Sequence, residues 1–382
     1  MFYLDPLYGQ LEISPLELSL FQTRALTRLR DVSLSAVPPL ALASGMAASR
    51  FEHSVGVAFL AKKLTEKKEF SKMKNNLYLA ALLHDVGSPP FSHLSEPFQM
   101  LLINKDHEQF SEEMLADKEM KQKIKKNKAD LQVVSQLIKG QLKPWSDLIN
   151  GTIDLDNLDN TLRWGLGTGV FQSKFYQPEE IVNAFVLNKG KLALKINYQA
   201  NIQKWELARR LAYELVYSDA NLAPASMLLR ALQFAYEKKE LSKDFFYLTD
   251  SQAFYLLENR FNQASQDLTR AVRYWQFYLL GAKLTFEQPT DKVKKVCLSW
   301  QEKFKSGDKI ARLLKIPRQD ICFYAGKDRG FKKIHLPFVG QGKPQSHMPI
   351  TPLKWRIRVY LHPRHKEKVK KIKEILGQLF VD

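Results

Sequence analysis

The most constraining feature of the sequence is the apolar run at residues 76–84, NLYLAALLH, which Asp85 follows directly. A segment that is apolar nearly all round predicts a buried helix. The Gly-Ser-Pro-Pro sequence at 87–90 predicts that this helix ends there. His84 and Asp85 therefore come at the end of a buried helix. Because burying both side chains without partners is costly, the sequence requires something to satisfy them.

Helical periodicity extends over most of the first 280 residues. The stretch 54–64 places apolar side chains at Val57, Leu60, Ala61 and Leu64, and 107–117, 130–139 and 200–217 show the same spacing. The exception is 185–196, which alternates on both sides of Asn-Lys-Gly and predicts a β-hairpin. The expected fold is mainly α, a helical bundle with a small β-hairpin.

The chain changes character after about residue 285, where Lys and Pro become dense. Residues 354–361 alternate, which predicts a half-buried strand with Arg356, Arg358 and Tyr360 on a basic outer face. A helix is predicted over 366–380. We therefore expect two domains: residues 1–285, the helical domain, and residues 286–382, a basic α+β C-terminal region.

Composition limits the class of protein. With 382 residues and 45% hydrophobic side chains, the chain can bury a large core, and this composition argues against global disorder. The formal net charge of +18 attracts polyanions such as nucleotides and nucleic acids. The two cysteines lack CxxC spacing, so no disulfide framework is expected. No signal peptide or transmembrane segment is visible, and a cytoplasmic location is expected.

Four residues have the chemistry of a metal site: His53, His84, Asp85 and Asp156. Neutral imidazole and carboxylate are natural ligands of divalent ions, and these come from three separate elements. Such a mixed site keeps open positions for a water and a phosphate oxygen. We expect one divalent ion; Mn, Fe, Co, Ni, Zn and Mg are all compatible with these ligands.

Longer motifs extend this pattern. They are SRFEHSVGVAFLAKKL at 49–64, ALLHDVGSPPFSHLSEPF at 81–98, DHEQ at 106–109 and IDLDNLDNTLRW at 153–164. In order and approximate spacing they resemble the HD-domain deoxynucleotide triphosphohydrolases (dNTPases), over roughly residues 15–285. The resemblance implies an HD-domain helical bundle. It also implies that Asp156, and not Asp154, completes the metal ligands.

The resemblance also implies roles near the metal. His93 and His107 correspond to histidines on the phosphate side, and Glu96 to a carboxylate beside them; these three are the expected catalytic residues. Arg50 corresponds to a nucleotide contact. Arg209 and Tyr217 correspond to contacts with sugar and phosphate. Oligomerisation is a further expectation from the resemblance.

Some positions depart from the family pattern. Ser88 stands where the family usually has a second histidine, and Pro89 replaces a small residue. Asn157, Asn160 and Trp164 replace residues that contact phosphate and sugar. The metal ligands are thus all present, whereas the residues expected to recognise the sugar are altered.

Three functions are consistent with these features. The first is a nucleoside triphosphate triphosphohydrolase, with dNTPs as the favoured substrates, that releases nucleoside and triphosphate. The second is a phosphodiesterase or nuclease acting on RNA, DNA or a nucleotide messenger, which the charge and the basic C-terminal region favour. The third is a weakened HD domain that binds nucleic acid or regulates another protein, to which Ser88 and Pro89 point. The expected partners are a nucleotide substrate and, through the C-terminal region, nucleic acid.

Overall fold

The computed structural model describes residues 1–34, 48–330, 334–341 and 353–381. The chain begins with an antiparallel hairpin and two short helices that pack against the bundle. These elements are β1 (Phe2–Asp5), β2 (Gly9–Glu12), α1 (Pro15–Phe21) and α2 (Arg24–Arg28). Asp5, at the end of β1, is buried.

The bundle that follows is helical. Its helices are α3 (Arg50–Thr65), α4 (Lys74–Leu83), α5 (Glu96–Ile103), α6 (His107–Leu115), α7 (Lys118–Lys126), α8 (Leu131–Ile138), α9 (Leu155–Gly167) and α10 (Pro178–Ala184). After a hairpin come α11 (Gln199–Val216), α12 (Asp219–Glu237), α13 (Asp250–Asn259) and α14 (Gln263–Arg273). Helix α4 lies against α3 in the centre, and every residue from Leu77 to Leu83 is buried. The predicted mainly α fold is confirmed.

The predicted hairpin forms between α10 and α11. Its strands, β3 (Phe185–Asn188) and β4 (Lys191–Lys195), are antiparallel, with Asn188 opposite Lys191 across the turn. A two-residue strand from the C-terminal region adds to β4 in parallel, with Leu194 opposite Phe338. The C-terminal region therefore returns to the helical bundle at this small sheet.

The C-terminal region is a three-stranded antiparallel sheet with helices on one face. Its elements are β5 (Leu279–Phe286), α15 (Asp291–Leu298), α16 (Trp300–Leu314), β6 (Ile321–Lys327), β7 (Phe338–Val339), β8 (Trp355–Leu361) and α17 (Val369–Phe380). The strand order is β5-β8-β6. The division expected at residue 285 falls inside β5, and the division into two domains stays a prediction.

The prediction of a basic outer face on β8 is wrong. The strand forms as predicted, but it is the central strand, and its second face packs against the helical bundle. Arg358 is 5% exposed and Tyr360 is fully buried. Asp219 of α12 accepts a hydrogen bond of 2.9 Å from Tyr360 Oη, and Arg356 pairs with Asp328 at 3.1 Å. Period-two alternation shows that a strand has two kinds of face, but not whether another layer covers the polar one.

None of the helices in the described parts of the chain is long and apolar enough to cross a membrane.

Candidate metal centre

Three helix ends bring the four predicted metal ligands together. His53 lies in the first turn of α3, which begins with a capping box formed by Ser49 and Glu52. His84 is the residue that ends α4. Asp156 lies in the first turn of α9. Asp154 is instead the N-cap of that helix and accepts a hydrogen bond of 2.7 Å from the Asn157 amide. Asp154 and Asp156 therefore have different roles, although they are two residues apart.

The ligand atoms of His53, His84 and Asp156 all lie within 4.8 Å of one another. His53 Nε2 is 3.0 Å from an Asp156 carboxylate oxygen. Asp85 Oδ2 lies 3.3 Å from His84 Nε2 and 3.7 Å from His53 Nε2. Both of these imidazole nitrogens are buried, and no described residue forms a hydrogen bond with either of them. Unsatisfied imidazole nitrogens that face two carboxylates fit a divalent metal ion, which supplies the missing partner.

The other nitrogen of each ring fixes its orientation. His53 Nδ1 lies 2.7 Å from Asp159 Oδ1, and His84 Nδ1 lies 2.8 Å from the Ala81 carbonyl oxygen. Both acceptors require a proton on Nδ1, so the lone pair of each neutral ring is on Nε2, towards the centre. Although burial opposes its charged form, the Asp156 and Asp159 carboxylates next to the ring raise the pKa of His53 to about 9. A metal must therefore compete with a proton for His53 Nε2.

Asp159 belongs to a fully buried ionic chain behind His53. Arg163 donates to both Asp159 oxygens at 2.8 Å and to Asp5 at 3.0 and 3.2 Å. Gly56, three residues after His53, makes room for this chain, because a Cβ atom there would lie 2.0 Å from Asp159 Oδ2. This ionic chain of Asp159, Arg163 and Asp5 places a negative charge against His53 and links β1 to the metal centre.

Asp85 is held by a buried arginine. Arg50 Nη1 donates to its two oxygens at 2.8 and 2.7 Å, and Ser88 Oγ donates to it at 3.1 Å. Although burial opposes ionisation, Arg50 and His84 keep the pKa of Asp85 well below its usual value. Arg50, expected to contact substrate, is 4% exposed and is committed to Asp85 in this structure.

The three predicted catalytic residues form a second group. Glu96 Oε1 lies 2.6 Å from His107 Nδ1, and Glu96 Oε2 lies 3.0 Å from His93 Nδ1. Although burial opposes both charges, the hydrogen bond with Glu96 raises the pKa of His107, and the two imidazoles keep the pKa of Glu96 far below its usual value. One carboxylate thus orients both rings and favours an imidazolium beside the metal centre.

The loop that carries His93 has a strained turn. Phe91 and Ser92 have positive φ angles of 62° and 52°. Asp250 accepts a hydrogen bond of 2.7 Å from the Phe91 amide, and Arg50 Nε donates to Ser92 Oγ at 3.0 Å. This turn costs free energy and persists because the surrounding contacts over-determine it.

Arg209 and Tyr217 contact the C-terminal region. Arg209 donates to Asn157 Oδ1 at 2.7 Å and to the Arg329 carbonyl at 3.1 Å. Tyr217 Oη accepts from the Arg329 amide at 2.8 Å and donates to the Lys327 carbonyl at 3.2 Å. The segment after β6 is therefore bound by two residues that the sequence assigned to substrate.

Four residues that hold the site residues in place were not predicted from the sequence: Asp159, Arg163, Asp5 and Asp250. Asp159 had a usable signal, since it follows Asp156 by three residues and so shares a helix face with it. Asp5 and Asp250 lie far from the motifs in sequence, and only the fold brings them to the site.

Residues 50–164 match the HD domain family. The uncharacterised protein MJ1154 of Methanocaldococcus jannaschii is 26% identical over 97% of this chain and 80% of its own length. The deoxynucleoside triphosphate triphosphohydrolase SAMHD1 of Danio rerio is 37% identical, but over 24% of this chain and 16% of its own length. The chain thus spans a small part of the dNTPase that it matches.

Two solved structures share the fold. A hypothetical protein from Aquifex aeolicus has a TM-score of 0.75 at 21% identity, covering 97% of this chain and 99% of its own. A phosphohydrolase from Bacteroides thetaiotaomicron has a TM-score of 0.68 at 18% identity, covering 95% and 99%. The chain therefore carries an HD domain, and in that domain it resembles the metal-dependent phosphohydrolases of the dNTPase type.

Proposed function

We propose that this protein is a metal-dependent phosphohydrolase that hydrolyses nucleoside triphosphates, with dNTPs as the favoured substrates, to nucleoside and triphosphate. The observation that carries the proposal is the pair of buried Nε2 atoms of His53 and His84, which have no hydrogen-bond partner among the described residues and face Asp85 and Asp156. The resemblance of the HD domain to SAMHD1 supports the choice of substrate.

His53, His84, Asp85 and Asp156 would hold the divalent ion. When bound, the ion supplies Lewis-acid polarisation of a phosphoryl oxygen and lowers the pKa of a coordinated water. Arg50 offsets the negative charge of Asp85 through its two hydrogen bonds. With Arg50 bound to Asp85, the metal site carries less net negative charge and therefore repels the phosphates of a substrate less.

The group formed by His93, Glu96 and His107 supplies the proton for the leaving oxygen. Glu96 is hydrogen-bonded to Nδ1 of both rings, so it favours the protonated form of His107 and leaves Nε2 of each ring available to the substrate. An imidazolium there donates a proton to the leaving oxygen or neutralises charge on a phosphate. His93, whose side chain is 50% exposed, is the more accessible of the two to an incoming substrate.

The nuclease alternative is based on the net charge of +18 and on the basic C-terminal region. Part of that support is lost, because Arg358 and Tyr360 of the expected basic face of β8 are buried against the helical bundle. Nucleic acid as substrate or ligand is therefore the second candidate, and product analysis separates it from the first. Homo-oligomerisation stays a prediction, to be measured by light scattering during size-exclusion chromatography.

The test is anion-exchange analysis of products after incubation with Mn²⁺ and, separately, dNTPs, NTPs and single-stranded DNA or RNA. The variant Asp156→Asn should abolish the activity. The matched control is Asp117→Asn, which alters the exposed N-cap of α7 and should retain it. Nucleoside and triphosphate formed by the wild type and the control alone would support the proposal. Shortened polynucleotide with intact dNTPs, or no product from any substrate, would refute it.

A further inference from the structure

A buried aspartate outside the metal centre accepts hydrogen bonds from three donors. Asp250, the first residue of α13, accepts from the Phe91 amide at 2.7 Å and from the amide and the hydroxyl of Ser33, at 3.0 and 2.7 Å. It is 8% exposed, and burial raises its pKa above the ordinary value although all three donors oppose that shift. Keeping a carboxylate there therefore costs stability, which an apolar contact in its place would not.

Capping of α13 does not explain this aspartate. Thr249 is the N-cap of the helix: its side chain accepts from the Gln252 amide, and the Gln252 side chain accepts from the Thr249 amide. Asp250 instead binds two segments that are 159 and 217 residues away in sequence. One of them is the strained turn at Phe91, whose ring also packs on Phe254 of α13 with 4.8 Å between the ring centres. Helix α13 therefore holds this turn through a hydrogen bond and a ring contact.

A series of hydrogen bonds leads from Asp250 to a metal-ligand candidate. The carbonyl oxygen of Ser33, which Asp250 holds, accepts from the hydroxyl of Ser92. Ser92 Oγ in turn accepts from Arg50 Nε at 3.0 Å. Arg50 Nη1 donates to the two Asp85 oxygens at 2.8 and 2.7 Å. All five residues are buried, so water does not readily replace any of these bonds.

The chemistry of each group makes the series specific. A serine hydroxyl has a single proton, so when Ser92 donates it to the Ser33 carbonyl, its lone pairs remain for Arg50. The guanidinium of Arg50 is planar, so the position of Nε sets the plane in which Nη1 meets Asp85. A shift of the turn at Ser92 therefore moves the positive charge that holds Asp85.

We propose that Asp250 is a positioning residue of the metal centre, which orients Asp85 through Ser33, Ser92 and Arg50. This role rests on the metal site of the proposed function, but not on the identity of the substrate. Changes along a hydrogen-bonded network between two places in a protein typically alter their coupling by a factor of about two to thirty. Loss of the Asp250 charge should lower the metal affinity within that range.

The experiment is calorimetric titration of the full chain with Mn²⁺, at one pH for all variants, together with urea denaturation of the metal-free proteins. Asp250→Asn keeps the shape of the side chain but turns an NH₂ group towards a donor. The matched control is Asp320→Asn, which changes another buried aspartate, bound to Arg364 at 3.0 Å and to His365 at 2.8 Å in the C-terminal region. Both variants should lose stability. Asp250→Asn alone should bind Mn²⁺ more weakly, by about twofold to thirtyfold.

A double variant tests the route. Ser92→Ala removes the link to Arg50 and should itself weaken Mn²⁺ binding. If Asp250 acts through Ser92, the protein with both changes should bind Mn²⁺ no more weakly than the weaker of the two single variants. Ser33→Ala is a milder change, since it removes one of the three donors and leaves the backbone in place. It should cause a smaller loss that also vanishes in the Ser92→Ala background, and it carries the test if Asp250→Asn does not fold.

Failure of this role is distinguishable from failure of the proposed function. Wild-type protein that does not bind Mn²⁺ would refute the metal centre and both conclusions with it. Wild-type protein that binds Mn²⁺ but forms no product would refute the hydrolase alone, because the variants still measure the role of Asp250. Unchanged Mn²⁺ affinity in Asp250→Asn and Ser33→Ala, an equal loss in Asp320→Asn, or losses that multiply in the double variant would overturn that role.

Discussion

Replacing Asp159 with Asn tests whether the ionic chain behind His53 tunes the metal centre. The change keeps the shape of the side chain but removes the charge that lies 2.7 Å from His53 Nδ1. Loss of a carboxylate that supports a metal-binding histidine typically lowers metal affinity about tenfold to a hundredfold. This corresponds to about 1.4–2.7 kcal/mol of binding free energy.

The same change also affects folding. The amide nitrogen of Asn would face Arg163, which now donates to both Asp159 oxygens at 2.8 Å. A lost hydrogen bond to a buried charged group costs about 1.5–3 kcal/mol of unfolding free energy. Asp5→Asn is the matched control, because Asp5 also binds Arg163, at 3.0 and 3.2 Å, but does not touch His53.

The assay has two readings. Urea denaturation of the metal-free proteins gives the free energy of unfolding, and titration with Mn²⁺ gives the metal affinity. The titration is made above pH 9, because the pKa of His53 is about 9 and proton competition would otherwise differ between the variants. Both variants should lose stability, and Asp159→Asn alone should lose metal affinity. Equal metal affinities of the two variants would show that the ionic chain behind His53 has only a structural role.

Three further changes test other parts of the structure. Gly87→Ala should destabilise the protein by about 1–3 kcal/mol and reduce activity, because the new Cβ atom would lie 2.1 Å from the backbone oxygen of His107; thermal unfolding and turnover measure this, and an unchanged melting temperature contradicts it. Glu96→Gln should lower the activity at neutral pH about tenfold to a thousandfold and shift the alkaline limb of the pH–rate profile to lower pH, because His107 loses the carboxylate that raises its pKa and so gives up its proton earlier; a profile that is scaled down without a shift would indicate a packing role. Lys303→Met should raise the free energy of unfolding of the ligand-free protein by up to about 3 kcal/mol below pH 8, because it removes a charge whose burial is unfavourable. Since the pKa of Lys303 in the folded protein is about 8, below its value in the unfolded chain, this gain should shrink as the pH rises from 8 to above 10. A difference in urea denaturation that does not depend on pH would refute this prediction.

The sequence alone determined the elements that carry the site. The apolar run before His84 predicted α4, and the structure buries Leu77 to Leu83. Alternation around Asn188 predicted the β3-β4 hairpin. The HD-type motifs singled out His53, His84 and Asp156, whose ligand atoms the fold brings within 4.8 Å of one another. These features are local: hydrophobic periodicity and helix ends depend on neighbouring residues, so they can be recognised along the chain.

The tertiary structure decided what those elements pack against. It buried the basic face of β8 against α12, since Asp219 provides a partner for Tyr360 and an acid beside Arg358. In the fold, Arg50 binds Asp85, and Arg209 and Tyr217 bind the segment after β6. It also brought Asp5 to a chain that ends on His53, although 158 residues separate Asp5 from Arg163. Partner choice among charged side chains depends on distances across the fold and on which surfaces lose water, and neither is encoded in local periodicity.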